Sequence, residues 1–407
     1  MLDQKTSEMH PNIEKLYLIA NKPTRKIIGL MSGTSVDGLD IALCEVKDSG
    51  TKTQLKLIEF TTVPYTADFK EKVLSIFSKK VVSLEQLCLI NPWIAVQHAN
   101  MIKAALSCWD INAKQIDLIA SHGQTIYHAP KSLHPLDEFG PATLQIGDGD
   151  HLAVHTGIIT ISDFRQKHLA AGGDGAPLAI YGDYLLCAHA TENRLLLNIG
   201  GIANFTYIKA GSRLDQIIAT DTGPGNTLMD AYIRNHFDDL LFDKDGLIAQ
   251  KGKINDDLLA ALKANSFFTL PFPKSIGPEL FNLEYIATAQ ATSNTLQILK
   301  EDVVATLNRF TAETIAAGIM HCVAANTPFA IYKSGGGAHN TVLVNHLIQL
   351  LPNAQIATST KIGIQPDAKE AILFALLANE CVAGTPLNAG PKATTIPITM
   401  GKISFPE

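Results

Sequence analysis

The stretch Gly33-Thr34-Ser35-Val36-Asp37-Gly38-Leu39-Asp40 gathers glycines, hydroxyls and carboxylates between two apolar runs. Gly33 and Gly38 let backbone N–H groups approach an anion, and Thr34 and Ser35 add hydroxyl donors. Asp37 and Asp40 can hold a metal ion or its water shell, with Asp37 the candidate ligand. This is chemistry for phosphate. No Gly-Lys-Ser/Thr follows the glycines, so the stretch is not a Walker loop. A second candidate, Asp221, lies in Thr220-Asp221-Thr222-Gly223-Pro224-Gly225-Asn226. An apolar run precedes it and helical periodicity follows over 227–237, which predicts a strand-to-helix turn with free N–H groups. A carboxylate there can serve as a general base.

Polar groups recur where predicted strands end. Ile116 to Ala120 leads into Ser121-His122-Gly123-Gln124-Thr125, in the position where open α/β sheets meet ligands. A ligand contact and a structural cap explain His122 equally well. Arg165, Lys167 and His168 precede the small-residue run from Ala170 to Leu178, which includes Gly173. The run reads as a loop lining a cleft, with the three basic residues as partners for an anionic group; a solvated turn is the alternative. Leu195 to Tyr207, with Gly200, Gly201 and Asn204, echoes the first hairpin, so duplicated domains facing a nucleotide cleft are expected. Strand Phe329–Tyr332 then runs into Gly335-Gly336-Gly337, a flat surface for an adenosine.

The elements that must position these groups follow from periodicity. Strand, turn, strand is predicted over 28–44, a third strand over 55–62, and helices over 66–80, 83–109, 295–325 and 368–381. The last is assigned to the second domain. Residues 242–282 read as a loop-rich insertion in which Lys274 and Ser275 meet substrate or punctuate a turn.

At 407 residues the chain exceeds one ordinary core, so domains of roughly 150 to 200 residues are expected. The boundaries are 1–25 as a loosely ordered extension, 26–190 as the first domain and 191–407 as the second. A net charge of −6 with no basic run gives no footprint for nucleic acid or anionic membrane. Six dispersed cysteines are expected to be buried free thiols in a reducing compartment. With neither a signal-peptide pattern nor a spanning stretch, a cytoplasmic location is expected.

Gly-Leu-Met-Ser-Gly-Thr-Ser-Val-Asp-Gly-Leu-Asp, Ser-His-Gly-Gln-Thr, Leu-Gln-Ile-Gly-Asp, Ser-Asp-Phe-Arg with Ala-Gly-Gly-Asp-Gly-Ala-Pro-Leu, Leu-Asn-Ile-Gly-Gly-Ile-Ala-Asn, Asp-Thr-Gly-Pro-Gly-Asn and Ser-Gly-Gly-Gly-Ala-His-Asn occur in that order. With them the chain resembles the anhydro-N-acetylmuramic acid kinases, in the actin and hexokinase ATPase superfamily. The resemblance implies a two-domain α/β fold of the actin/hexokinase-like (ribonuclease H-like) type with a central interdomain cleft. It implies an ATP- and Mg²⁺-dependent reaction on the anhydro amino sugar. ATP contacts would be Gly33 to Asp40, Gly200, Gly201, Asn204 and Gly335 to Gly337. Substrate contacts would be His122, Gln124, Arg165, Gly173 and Asn226, with Asp221 as catalytic base. A homodimer is implied as well. The segments before Lys26, around Gly147 to Asp150 and from Leu387 to Met400 depart from the family pattern.

Overall fold

The computed structural model describes residues 9–131, 134, 136–175, 178–276, 280–387 and 396–407. The chain forms two compact units, Met1–Leu186 with Asp367–Glu407, and Cys187–Pro366.

The first unit opens with α1 (Pro11–Ala20), where the sequence suggested a loosely ordered extension. Asn12 and Ile19 of this helix are buried, and Asn12 Nδ2 donates to the Glu407 carbonyl at 2.8 Å. The buried Arg25 guanidinium donates to the carbonyls of Ala20 (3.2 Å), Lys22 (2.5 Å) and Asp48 (3.0 Å), and to Asn379 Oδ1 (2.7 Å). Carbonyls that a helix end leaves unsatisfied thus find a charged fork. The apolar runs flanking the Gly33–Asp37 turn become β1 (Thr24–Ser32) and β2 (Gly38–Lys47), antiparallel, with β3 (Gln54–Pro64) antiparallel to β2.

α2 (Ala67–Leu74) starts where Thr66 accepts the Phe69 N–H, and ends short of the predicted Lys80. α3 (Leu84–Cys108) is capped by Ser83 and packs Ile94, Ala99 and Ile102 against Ile28, Leu30 and Ile41. β4 (Leu118–Ala129) pairs parallel to β1, antiparallel to β5 (Ala142–Ile146) and parallel to β6 (Thr160–Ser162). The expected polar tail 121–125 therefore lies inside β4, because β5 extends its pairing. α4 (Gly149–Thr156), α5 (Phe164–Ala170) and α6 (Ala179–Cys187) complete this part of the chain.

In the second unit β7 (Arg194–Ile199), β8 (Ile202–Ile208) and β9 (Ile218–Pro224) form an antiparallel meander. α7 (Thr227–His236), α8 (Asp256–Lys263), α9 (Leu283–Thr292) and α10 (Lys300–Cys322) follow. Strand β10 (Phe329–Ser334), helix α11 (Thr341–Leu350) and strand β11 (Ala354–Thr358) come next, β10 lying parallel to both β7 and β11. The predicted loop-rich insertion contains α8, whose Leu258, Leu259 and Leu262 join Phe310 and Leu307 in a core. Their helical spacing, one apolar face of a short helix, overrides the loop signals around them.

The chain then returns to the first unit. α12 (Lys369–Ala383) packs on β1, and β12 (Lys402–Ser404) joins β6. This corrects the assignment of residues 367–407 to the second domain. Every residue from Ala371 to Glu380 is buried: Ala371 to Ala378 are apolar on all sides, while Asn379 and Glu380 are met by Arg25 and the Gly50 N–H. Gly29 makes the approach possible, since a Cβ there would stand 1.9 Å from the Ala371 carbonyl oxygen.

The strand orders are β12-β6-β4-β1-β2-β3 and β11-β10-β7-β8-β9. Each contains an antiparallel meander extended from its first member by two parallel strands, β4 and β6 in the first sheet and β10 and β11 in the second, and β12 closes the first sheet antiparallel to β6, so a ribonuclease H-like strand pattern occurs twice. Cys44 and Cys187 are buried, while Cys88 and Cys108 are exposed, contrary to the expectation for all six. Among the described residues no helix is long and apolar enough to cross a membrane.

Candidate active site

In the first unit the turn between β1 and β2 presents Thr34, Ser35 and Asp37 at the surface, while Val36 and Leu39 point into the core. Those two can serve a ligand only through their backbone. The N–H groups of Thr34 and Ser35 find no protein acceptor among the described residues, which suits an anion. Asp37 Oδ1 accepts from Ser35 Oγ at 2.8 Å and from the Gly38 N–H at 3.0 Å, and the Ser35 bond leads in holding its carboxyl below the ordinary range. Asp40 Oδ1 accepts from Thr62 at 2.6 Å, yet burial raises this carboxyl, helped by Asp37 and Asp367.

Gln124 does not reach outward as the sequence reading expected. It is wholly buried; its Oε1 accepts from Ser32 Oγ at 2.5 Å, and its Nε2 donates to the carbonyls of Gly33 and Thr125, both at 3.2 Å. The amide is a strut beneath the turn. His122 is buried, and Arg165 Nε donates to its Nε2 at 2.9 Å. An arginine can only donate, so the imidazole proton is on Nδ1, which donates to the Gly123 carbonyl at 2.9 Å. Burial, with Arg165, lowers this histidine to about 3, so it stays neutral.

Arg165 sits in the first turn of α5 and also donates to the Gly175 carbonyl at 2.8 Å. Glu370, which opens α12, supports its charge. Sequence reasoning gave Glu370 no place near Arg165, although an acid heading a mostly apolar helix was the available signal. Its carboxyl is raised by desolvation and then by Asp40, against Arg165.

Lys167 is exposed, whereas His168 is buried and accepts the Gly175 N–H on Nδ1 at 3.1 Å. Gly173 leaves room for that ring, because a Cβ there would lie 2.3 Å from His168 Nε2. Its place is structural. Beside His122, a polar cavity of about 210 Å³ is lined by Gln145, Asp148, Ser162, Asp163 and Lys402.

In the second unit Asp221 lies within β9, the sheet's edge strand, rather than on the expected turn. Its N–H is not free but donates to the Lys274 carbonyl at 2.9 Å. Its Oδ2 accepts the Ile276 N–H at 2.9 Å. Burial raises this carboxyl and the Ile276 bond opposes the rise, which moves it toward the range useful for a base. Asn204 is its register partner on β8.

The N–H groups of Gly225, Asn226 and Thr227 are also engaged, donating to Gly201, Gly200 and Gly201 carbonyls at 2.8, 2.8 and 3.2 Å. The N–H groups of Gly200 and Gly201 themselves have no acceptor among the described residues. The anion-binding potential therefore belongs to the hairpin tip and not to the helix start. A Cβ on Gly337 would stand 2.4 Å from Ile199 Cγ2 and 2.8 Å from Asn226 Oδ1. Gly200, Gly201, Asn226 and Gly335 to Gly337 are thus gathered at one end of this sheet. Lys274, offered as a substrate contact, turns away from solvent and donates from Nζ to the Phe267 carbonyl at 2.9 Å.

No group of three or more His, Cys, Asp or Glu side chains able to hold a metal occurs among the described residues. Asp37 Oδ2 carries no hydrogen bond there. One free carboxylate oxygen beside a turn with unpaired N–H groups fits Mg²⁺, which takes waters and anionic oxygens as its other ligands.

The sequence profile of the anhydro-N-acetylmuramic acid kinase family matches residues 25–403. The anhydro-N-acetylmuramic acid kinase of Pseudoalteromonas atlantica is 54% identical over 401 residues, covering 98% of this chain and 100% of its own. That of Caldanaerobacter subterraneus subsp. tengcongensis is 38% identical, covering 97% and 100%. Among solved structures, the activator of the 2-hydroxyisocaproyl-CoA dehydratase from Clostridium difficile with bound ADPNP aligns with a TM-score of 0.41 and 11% identity, covering 88% of this chain and 95% of that one. That likeness is too distant to carry functional weight. On the profile and the full-length identities, the chain belongs to the anhydro-N-acetylmuramic acid kinase family.

Proposed function

We propose that the protein uses ATP and Mg²⁺ to open 1,6-anhydro-N-acetylmuramic acid hydrolytically and to phosphorylate its O6. The products are N-acetylmuramic acid 6-phosphate and ADP, and the role is recycling of cell-wall sugar. The observation that carries the mechanism is Asp221: half-buried, raised by desolvation and held by one backbone donor. Its carboxylate takes a proton from water as the water oxygen bonds to C1. The C1–O6 bond breaks, O6 bonds to the γ-phosphorus, and the bond from that phosphorus to the ADP oxygen breaks.

The free N–H groups of Thr34 and Ser35, and those of Gly200 and Gly201, donate to phosphate oxygens. Gly335 to Gly337 offer the adenosine a surface without side chains. Arg165, oriented by His122 and Gly175, offers its guanidinium to the substrate's carboxylate, and Asn226 supports the sugar site. Asp37 would hold Mg²⁺, which neutralises phosphate charge when bound. The family resemblance supports a cytoplasmic homodimer.

The test is mass spectrometry of a reaction run in ¹⁸O-labelled water. A ring-opened sugar phosphate carrying one label at the C1 hydroxyl is expected. Unlabelled phosphosugar, or ATP cleavage without phosphosugar, overturns the reading.

A further inference from the structure

Strand β9 is an edge, so its outer backbone groups need partners from elsewhere in the second unit. Residues 274–276 supply them at Asp221. The Lys274 carbonyl accepts the Asp221 N–H at 2.9 Å and the Thr220 hydroxyl at 3.2 Å. The Lys274 N–H donates to Thr220 Oγ1 at 3.0 Å. Two residues on, the Ile276 N–H donates to the Asp221 carboxylate. The segment therefore grips both the main chain and the side chain of Asp221.

The anchor of this grip is an unusual use of a lysine. Lys274 is 8% exposed, and no carboxylate pairs with it among the described residues. Its ammonium lies 4.4 Å from the Phe267 ring centre, 4.5 Å from Phe272 and 5.8 Å from Phe268, and donates to the Phe267 carbonyl. Ring faces and one carbonyl stand in for water and counter-ion. Phe268 stacks edge-on against Phe310 of α10, so the cage is tied to the core. A Met would fill the volume without holding the carbonyl, so the cation specifies where the segment sits.

We propose that Lys274 is a positioning residue for Asp221: its caged ammonium fixes the segment whose Ile276 N–H orients the Asp221 carboxylate. The catalytic consequence rests on Asp221 being the base. Among the described residues, burial and the Ile276 N–H are what act on that carboxylate, and Lys274 reaches it through the main chain.

The test compares Lys274→Met, Lys274→Arg and Thr220→Val with the natural enzyme. Thr220→Val removes the two bonds that Thr220 Oγ1 makes to Lys274 and so loosens the segment without disturbing the cage, and it serves should Lys274→Met fail to fold. Selective ¹³C labelling of aspartate, assigned with Asp221→Asn, follows the Asp221 carboxyl titration in the free enzyme. Lys274→Met and Thr220→Val are expected to move it to higher pH and to lower kcat by about tenfold at unchanged KM for ATP. The acid limb of the kcat/KM profile is expected to follow, and Lys274→Arg to restore both. An unmoved titration overturns the proposal whatever the activity does. A shift in Lys274→Met but not in Thr220→Val also overturns it, since charge rather than position would then be responsible. If the titration moves as expected while Asp221→Asn keeps full turnover, the base assignment fails and the positioning link stands.

Discussion

The phenol oxygen of Tyr65 lies 2.9 Å from Nε2 of the buried His98 and 2.7 Å from Oγ of Ser32. Ser32 has one proton, and it goes to Gln124 Oε1. Tyr65 therefore donates to Ser32, and its oxygen accepts the Nε2–H of His98. Through Gln124 this line of bonds ends at the Gly33 carbonyl, so an imidazole on α3 helps set the turn proposed to bind phosphate. The Tyr65 N–H also donates to the Asp37 carbonyl at 3.0 Å.

Tyr65→Phe removes the middle of the line and leaves His98 and Ser32 short of partners. A stability loss of about 1–3 kcal/mol is expected, the cost of stranded buried polar groups. KM for ATP is expected to rise several-fold with little change in kcat. Urea denaturation and steady-state kinetics check both; an unchanged KM would detach the line from nucleotide binding.

Asp221→Asn separates stability from activity. The amide keeps an oxygen for the Ile276 N–H but cannot take a proton, so turnover should fall about 10²- to 10⁴-fold while ATP affinity stays. In the natural enzyme the raised carboxyl means that activity is lost as pH falls through a value above the usual carboxylate range. The same raised carboxyl contributes stability that is full below its unfolded pKa and lost as pH rises. Above that window the variant, relieved of a half-buried charge, is expected to be at least as stable as the natural enzyme. A variant that loses both activity and stability near neutral pH would contradict this.

Much of this was legible in the sequence, for local reasons. Apolar runs broken by Gly and Asp announce hairpins, and both glycine hairpins stand where expected, as do α3 and the strand before Gly335. What local pattern cannot carry is destination. The apolar length of α12 predicted burial, but which sheet it covers depends on Gly29, far away in the chain, leaving space for it. Gln124 and Lys274 look like polar residues offered to a ligand. Gln124 is turned inward by Ser32, remote in sequence, and Lys274 by Phe267, Phe268 and Phe272, which are near in the chain but close around it only through a fold that no periodicity marks. α1 is clasped by Arg25, which meets the Ala20 carbonyl and also the distant Asn379.

Arg25→Met tests that clasp. The carbonyls of Ala20, Lys22 and Asp48 and the Asn379 amide oxygen would lose a charged donor. A stability loss of about 3 kcal/mol is expected, with proteolysis beginning in α1. Because the residue touches nothing proposed to bind ATP or sugar, activity per folded molecule should be retained. Loss of kcat in the folded fraction would place this end of the sheet in the catalytic machinery instead.

Acid sensitivity should come from two histidines. His98 and His122 are each lowered by burial from 6.5 to about 3, Arg165 adding to the effect at His122. In the unfolded chain each imidazole takes up a proton near 6.5, while in the fold it resists until about 3. Between these values the unfolded state binds more protons, so stability is full above 6.5 and falls as pH falls through this window. Each histidine contributes a slope of about 1.4 kcal/mol per pH unit. Urea midpoints measured at about pH 7 and about pH 5 should therefore drop steeply in the natural protein and less steeply in His98→Gln, whose amide can still donate to Tyr65. The imidazole of His122, with its proton on Nδ1, should remain neutral by NMR across the same range. Parallel losses in the natural protein and in His98→Gln would trace the acid sensitivity to other groups.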